Sequence, residues 1–316
     1  MIVNQDIDIA AGYIREGRLV AFPTETVYGL GANALNPLAV AKIFELKERP
    51  SFDPLIVHIA SVDDLDKLTV NKDSRVLLLA EKFWPGPLTI VLPKSDIVPD
   101  IVTSGLDTVG IRMPNNPIAL ELIRKAGCPI AAPSANKFGR VSPTTAQHVK
   151  KQLPNVDYIL DGGKTQVGIE STIITLNENG FEILRHGVIT REDLESFVPF
   201  HSGRDTSDSI VAPGMLKSHY SPNKPLYFLG DVHLNDMQRS NAGLLSFNTT
   251  DTEGYKIVIP LSNSGNLREY AVNLFAAIHK MEESDVEYIV AEPVEEHGIG
   301  LAIMDRLRKA AFRYRG

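Results

Sequence analysis

Gly17-Arg18-Leu19-Val20-Ala21-Phe22-Pro23-Thr24-Glu25-Thr26-Val27-Tyr28-Gly29-Leu30-Gly31 is the stretch from which the fold is read. The apolar run Leu19 to Phe22 predicts a buried strand, and Pro23 closes it. The polar group Thr24-Glu25-Thr26 then falls in a loop bounded by Gly29 and Gly31. A strand that empties into a polar, glycine-bounded loop is a common place for a ligand.

Downstream, Asn36 suits an N-cap and Pro37 the first helical position, while Val40, Ile43 and Phe44 form an apolar stripe at helical spacing. Lys47 continues that stripe one turn on. A lysine on the buried side of a helix end either snorkels to water or meets an anion, and Arg49 follows as the chain turns at Pro50. The other reading of the two cations is a solvated helix C-terminus that complements the dipole. In Pro54 to Ala60, Leu55, Val57 and Ile59 share one face of a strand, which puts His58 on the other with Ile56 and Ala60. A lone histidine there is equally a satisfied core residue.

Composition bounds the rest. A chain of 316 residues with 43% hydrophobic content divides most simply into two domains, 1–200 and 225–316, joined by a linker at 201–224. It has no apolar run of about eighteen residues and no signal-peptide start, so no membrane span is expected. The single cysteine, Cys128, excludes an internal disulfide or a cysteine metal cluster and fits a cytoplasmic enzyme. A net charge of -7 argues against a generally basic nucleic-acid binder, so phosphate binding would be concentrated in one cleft.

In chain order, helices are predicted over 5–16, 62–68, 74–83 and 116–126, and strands over 88–92, 108–114 and 129–132. Trp84 in Trp84-Pro85-Gly86-Pro87 is read as a packing anchor. Val109, Ile111 and Met113 point one way and Arg112 the other, so Arg112 wants a planar anion, either a ligand carboxylate or an internal acid. Pro133-Ser134-Ala135-Asn136-Lys137-Phe138-Gly139-Arg140 offers small polar side chains and backbone N–H groups after a strand, suited to phosphate or ribose. Ser142 is read as the N-cap of a helix reaching Leu153, or as a phosphate contact. Gly162-Gly163-Lys164-Thr165 is not a Walker loop, because Tyr158 stands where that motif requires glycine. Gly168 to Ile174 reads as a turn feeding a strand with Ser171 at its mouth, and Phe181 to Arg185 as a further strand. The segment around His219-Tyr220-Ser221-Pro222 is a linker by composition, although a bland linker rarely needs adjacent histidine and tyrosine. Strands near 225–229, 243–247, 256–261 and 288–292 alternate with helices near 266–281 and 301–313, a small parallel α/β domain. Arg306, Arg308, Lys309, Arg313 and Arg315 are either a helix C-terminal bias or a weak RNA-facing patch.

Pro23 to Leu30, Lys47-Glu48-Arg49-Pro50, Pro54 to His58 and Pro133-Ser134-Ala135-Asn136, in this order, resemble the signature blocks of YrdC-type threonylcarbamoyl-AMP synthases. The tail resembles the extra domain of the family's long form. The resemblance implies an α/β fold: a YrdC-like twisted mixed-sheet domain with helices, followed by a smaller Rossmann-like α/β domain. It also implies a nucleotidyltransferase making threonylcarbamoyl-AMP and pyrophosphate from L-threonine, bicarbonate and ATP, for tRNA modification. Under it, Lys47 and Arg49 are catalytic, and Thr26, His58, Arg112, Ala132 and Ser171 hold threonine. Arg49, Thr108, Ser134, Asn136, Ser142, Arg185, His219 and Tyr220 hold ATP, the last two from a lid. Magnesium is expected on the triphosphate with no dedicated ligand set, a tRNA-threonylcarbamoyl transferase machinery is the downstream partner, and a weak tRNA contact is allowed. Asp53 departs from the asparagine common before Pro54; a carboxylate there repels a triphosphate unless it helps hold magnesium or pairs with Arg49, which puts any ATP contact at Asp53 in doubt. The alternatives are a double-stranded RNA or tRNA-binding module, or an adenylate-forming carbamoyltransferase with another acceptor.

Overall fold

A computed structural model describes residues 1–71, 73–202, 212–216, 219–231 and 236–314. The linker reading falls in part on residues 203–211 and 217–218, outside the described residues, as does Arg315. The first domain is built on a ten-stranded mixed sheet. Its strands are β1 (Ile2–Asn4), β2 (Val20–Phe22), β3 (Gly29–Asn33), β4 (Ile56–His58), β5 (Leu88–Pro93), β6 (Thr108–Arg112), β7 (Ile130–Ala131), β8 (Tyr158–Leu160), β9 (Thr172–Asn177) and β10 (Gly180–Arg185). They lie in the order β1-β8-β2-β3-β7-β4-β6-β5-β9-β10. The second domain has an all-parallel four-stranded sheet of β11 (Leu226–Phe228), β12 (Ala242–Ser246), β13 (Ile257–Pro260) and β14 (Tyr288–Ala291), in the order β11-β14-β12-β13. Among the described residues no helix is long and apolar enough to cross a membrane.

Gly29 ends the loop and begins β3, which pairs antiparallel with β2 through Phe22↔Gly29 and Val20↔Gly31, so Gly31 lies within the strand and does not bound the loop. The reason is the Phe22 ring, since a Cβ on Gly31 would lie 2.8 Å from both Phe22 Cε1 and Ile130 Cγ2. The helix Pro37–Lys47 starts as read, with the Asn36 side chain accepting from the backbone of Leu38 and Ala39. Ser142 is not an N-cap. The helix is Ala146–Gln152, and Thr145 caps it by accepting from His148 N. Trp84 is buried and donates to the Leu88 carbonyl at 2.7 Å.

The sheet's two faces separate structure from chemistry. Leu55, Val57, Ile59, Val109 and Ile111 enter the main core with the helix residues Val40 and Ile43. On the opposite face β4 and β6 run parallel, with Ile56↔Gly110 and His58↔Arg112, so His58 and Arg112 are neighbours. That face is covered by the described part of the linker: Ala212 and Met215 pack on Ile56, Val91 and Ile173.

The two domains share a core, in which Val27, Val141, Ile169 and Val188 of the first join Tyr270, Leu274, Phe275 and Ile303 of the second. Gly168 permits a close approach, because a Cβ there would sit 2.5 Å from the carbonyl of Ala271. His148 and His279 stack across the interface with centroids 3.9 Å apart. Burial, with Lys151 adding, lowers His148 to about 4; burial and His148 together lower His279 to about 3. Both are neutral when folded, whereas unfolded imidazoles protonate near pH ~6.5. The unfolded chain therefore binds more protons below that value, and stability falls as pH drops from ~6.5 toward ~4. Thermal unfolding followed from pH 7 to pH 4.5 should show this loss, and the double substitution His148→Phe with His279→Phe should flatten it.

Candidate functional site

The cavity between the His58 and Arg112 face and the linker has a volume of about 50 Å³ and is open at its mouth. Thr24, Thr26 and Val27 line it from the loop after β2, Ile56 and His58 from β4, and Arg112 from β6. Ala132, Pro133 and Ser134 follow β7, Glu170 and Ser171 precede β9, and Arg185 ends β10. Arg49 comes from behind the helix Pro37–Lys47, and Pro213, Gly214, His219 and Tyr220 close the site from the linker.

Each cation is held by fixed acceptors. Arg112 donates through Nη1 to Thr26 Oγ1 at 3.0 Å and through Nε to the Gly86 carbonyl at 3.3 Å, while Nη2 lies 2.7 Å from Glu25 Oε1. Arg49 Nη2 lies 2.9 Å from Asp53 Oδ1, and its Nε donates to the Asp53 carbonyl at 3.0 Å. The carboxylate at the departed position thus has a partner. Arg185 donates from Nε and Nη2 to the carbonyl and Oγ of Ser171, at 3.1 and 3.0 Å, and from Nη1 to Pro213 O at 3.2 Å. Lys47 is 1% exposed, and its Nζ donates to the carbonyls of Ser134, at 2.7 Å, and Asn136. It sits beneath the loop and shapes it from below.

Burial sets the protonation states. It lowers Lys47 well below the ordinary lysine value, with Arg49 adding and Asp53 opposing. His58 is pushed down to about 3 by burial and then Arg112, and His219 well down by burial and then Arg49 and Lys47. Both imidazoles are neutral, able to donate or accept without adding charge. Burial raises the Tyr220 hydroxyl. The His219 Nδ1, the Tyr220 hydroxyl and Asn136 Oδ1 are buried without a hydrogen-bond partner among the described residues. Buried polar atoms are nearly always satisfied, so such a concentration marks a place where a ligand completes the bonding.

The structure brings Thr26, Arg49, His58, Arg112, Ala132, Ser134, Ser171, Arg185, His219 and Tyr220 to one cavity. Others stand back. Thr108 starts β6 opposite Pro93, at the other end of the strand from Arg112, and does not line the cavity. Ser142 Oγ donates to Glu170 Oε1, and the Asn136 amide donates to the carbonyls of Lys137 and Arg140. Glu25, Glu170 and Thr89, whose hydroxyl meets Ser171 Oγ at 2.8 Å, escaped the sequence reading. Thr89 had no visible signal, because it alternates within an apolar strand. Of the basic tail residues, Arg306 pairs inward with Glu170, while Arg308 pairs with Glu296 and Lys309 with Asp305. No group of three or more histidine, cysteine or acidic side chains suited to a metal occurs among the described residues.

Two family profiles match the chain: the Sua5, YciO and YrdC profile described as "Telomere recombination" over residues 12–187, and "Threonylcarbamoyl-AMP synthase, C-terminal domain" over residues 189–312. The threonylcarbamoyl-AMP synthase of Pyrococcus abyssi is 45% identical, covering 96% of this chain and 94% of its own length. That of Bacillus subtilis is 43% identical over 96% and 92%. The crystal structure of P. abyssi Sua5 complexed with L-threonine superposes with a TM-score of 0.87 at 42% identity, covering 99% of this chain and 98% of that one. With both profiles matched in sequence order and relatives of this identity spanning nearly the whole chain, the protein belongs to the Sua5 family of threonylcarbamoyl-AMP synthases.

Proposed function

We propose that this cavity joins L-threonine, bicarbonate and ATP into threonylcarbamoyl-AMP and pyrophosphate, and that the adenylate serves threonylcarbamoyladenosine formation in tRNA through a downstream tRNA-threonylcarbamoyl transferase. The carrying observation is that Arg49, Arg112 and Arg185, from three separate segments, line one cavity together with hydroxyls and neutral imidazoles, while Lys47 is bonded beneath its Ser134 to Asn136 loop. Three anionic groups must converge there: a carboxylate, a carbamate and a triphosphate. Fixed cations and dipoles serve that chemistry better than a protein nucleophile does.

In this reading the threonine carboxylate meets Arg112, with Thr26 and Ser171 orienting the amino acid and Ala132 leaving room for its side chain. The amine adds to the bicarbonate carbon with loss of water to give a carbamate. A carbamate oxygen then attacks the α-phosphorus, the bond to the β-phosphate bridging oxygen breaks, and pyrophosphate leaves. Neutral His58, beside Arg112, receives a hydrogen bond without repelling the arginine. Arg49 and Arg185 neutralise the phosphates, Lys47 holds the Ser134 to Asn136 loop against them, and His219 with Tyr220 covers the nucleotide.

Glu25, Asp53 and Glu170 each pair with an arginine. In this reading magnesium enters as part of the nucleotide substrate, held by phosphate oxygens and water. The RNA-binding alternative is disfavoured by burial. Arg49, Arg112 and Arg185 are 7%, 3% and 6% exposed, beyond reach of a duplex backbone. Carbamoyltransfer to another acceptor is separated by the substrate requirement.

Pyrophosphate release from ATP by the full chain tests the proposal, with threonine and bicarbonate added singly and together. Release that requires both is expected. Release without threonine, or dependence on carbamoyl phosphate, would overturn it.

A further inference from the structure

The helix Ile299–Ala311 of the second domain brings Arg306 against the cavity wall. Arg306 is 1% exposed and its side chain is fully enclosed. Its Nε donates to Glu170 Oε2 at 3.0 Å and its Nη1 to Asp305 at 2.7 Å, and the guanidinium carbon lies 5.3 Å from the centre of the Tyr220 ring. The other oxygen of Glu170 accepts from Ser142 Oγ. The next residue, Ser171, is held by Arg185 and Thr89. One arginine of the second domain is thus bonded to a carboxylate that lines the cavity of the first.

We propose that Arg306 is a positioning residue of the nucleotide site: it occupies Glu170, so that Arg185 stays on Ser171 and free to meet phosphate. This rests on the reading that the cavity takes ATP. Glu170 has two arginines within reach of its charge. Burial alone would raise the pKa of Glu170, yet the Arg306 and Arg185 charges and the bonds from Ser142 and Arg306 hold it below the usual carboxylate range. Both arginines act on the same anion. With Arg306 gone, Glu170 is a buried carboxylate whose strongest remaining cation is Arg185, and drawing Arg185 toward it puts a negative charge where a triphosphate has to bind. The second domain then contributes to the site electrostatically, in addition to covering it.

The prediction is a compensation. Arg306→Met is expected to raise the KM for ATP by about thirtyfold while moving that for threonine by less than about threefold, since Arg112 and Thr26 are untouched. Adding Glu170→Gln removes the orphaned charge and keeps an acceptor for Ser142, and should return the KM for ATP to within about threefold of the parent. Arg306→Lys, which retains the charge without the fork, should lie between. A packing role would predict no recovery, because the glutamine fills no space that methionine vacates. An unchanged KM for ATP in Arg306→Met, or a double variant as impaired as the single one, would overturn the inference. If Arg306→Met does not fold, the double variant is compared with Glu170→Gln alone, and an ATP KM more than about tenfold apart would overturn it equally. Absence of ATP-dependent pyrophosphate release in the unaltered chain would instead sink the proposed function and this inference with it.

Discussion

Methionine in place of Lys47 is expected to reduce threonine- and bicarbonate-dependent pyrophosphate release by about 10³-fold or more. Two losses combine. The ammonium end of Lys47 is bonded to the carbonyls of Ser134 and Asn136, so its removal leaves two buried acceptors without a donor and releases the loop that precedes the helix Ala146–Gln152. Each orphaned acceptor costs about 1–3 kcal/mol of desolvation. The second loss is the field of a cation at the phosphate site, which is worth about 10²–10³ in rate where water is excluded. Because the first is structural, the melting temperature should fall as well, and nucleotide affinity measured by calorimetry on the folded fraction isolates the second. Lys47 also carries a proton signature. Burial holds its pKa well below the ordinary value, and a phosphate brought near favours the ammonium form, so ATP binding should raise it. Without a ligand the sign is the reverse: the unfolded lysine binds the proton more readily, so this group's contribution favours folding more as pH rises from the depressed value toward the ordinary one. Retention of activity within about tenfold in Lys47→Met, with normal ATP affinity, would remove Lys47 from the site.

The parts of the site that were legible in the sequence are those whose position follows from local period. Lys47 falls four residues after Ile43 on the stripe that the helix buries, and it is buried. Arg112 lies opposite Val109 and Ile111 in a strand, and it does face away from the main core. What was not legible is the pairing of charges far apart in sequence. Glu25 reads as part of a polar loop, and nothing near it announces Arg112. Glu170 and Arg306 lie 136 residues apart, in different domains, and each alone looks like an ordinary surface charge.

Two errors have a shared physical origin in ambiguous signals. At Gly31 the glycine signal reads as a loop boundary, whereas the residue lets a strand pass close under the Phe22 ring. In Ser142-Pro143-Thr144-Thr145 several hydroxyl residues could cap a helix, and the choice is made by a distant carboxylate, because Glu170 takes the Ser142 hydroxyl and leaves Thr145 to cap. β1 and β8 went unread for another reason: they are three residues each, and all of β1 is exposed.

Arg112→Ala is expected to raise the KM for threonine by at least about 100-fold and to leave ATP binding nearly unchanged. The structure sharpens the reason. Glu25 Oε1 stands 2.7 Å from Arg112 Nη2, and both side chains are 4% exposed. Truncating the arginine therefore deletes the donor fork for the substrate carboxylate and also leaves a buried, uncompensated carboxylate beside the same spot, where it repels the incoming one. The two contributions separate in a second variant. Glu25→Gln added to Arg112→Ala removes the orphaned charge, so the melting temperature should recover by several degrees, as expected for about 1–3 kcal/mol in a domain of this size. Threonine affinity should not recover, because the fork that reads a carboxylate is still missing. Arg112→Lys gives the complementary result: charge is restored but only one point of contact, so the KM should fall between those of the parent and the alanine variant. His58 supplies an internal control. With Arg112 gone, one of the causes holding its pKa near 3 disappears, so the imidazole should titrate at higher pH in Arg112→Ala, a shift that NMR of the ring protons reads directly. If threonine still bound with unaltered affinity while His58 shifted, Arg112 would be the internal partner of Glu25 and not the residue that receives the amino acid.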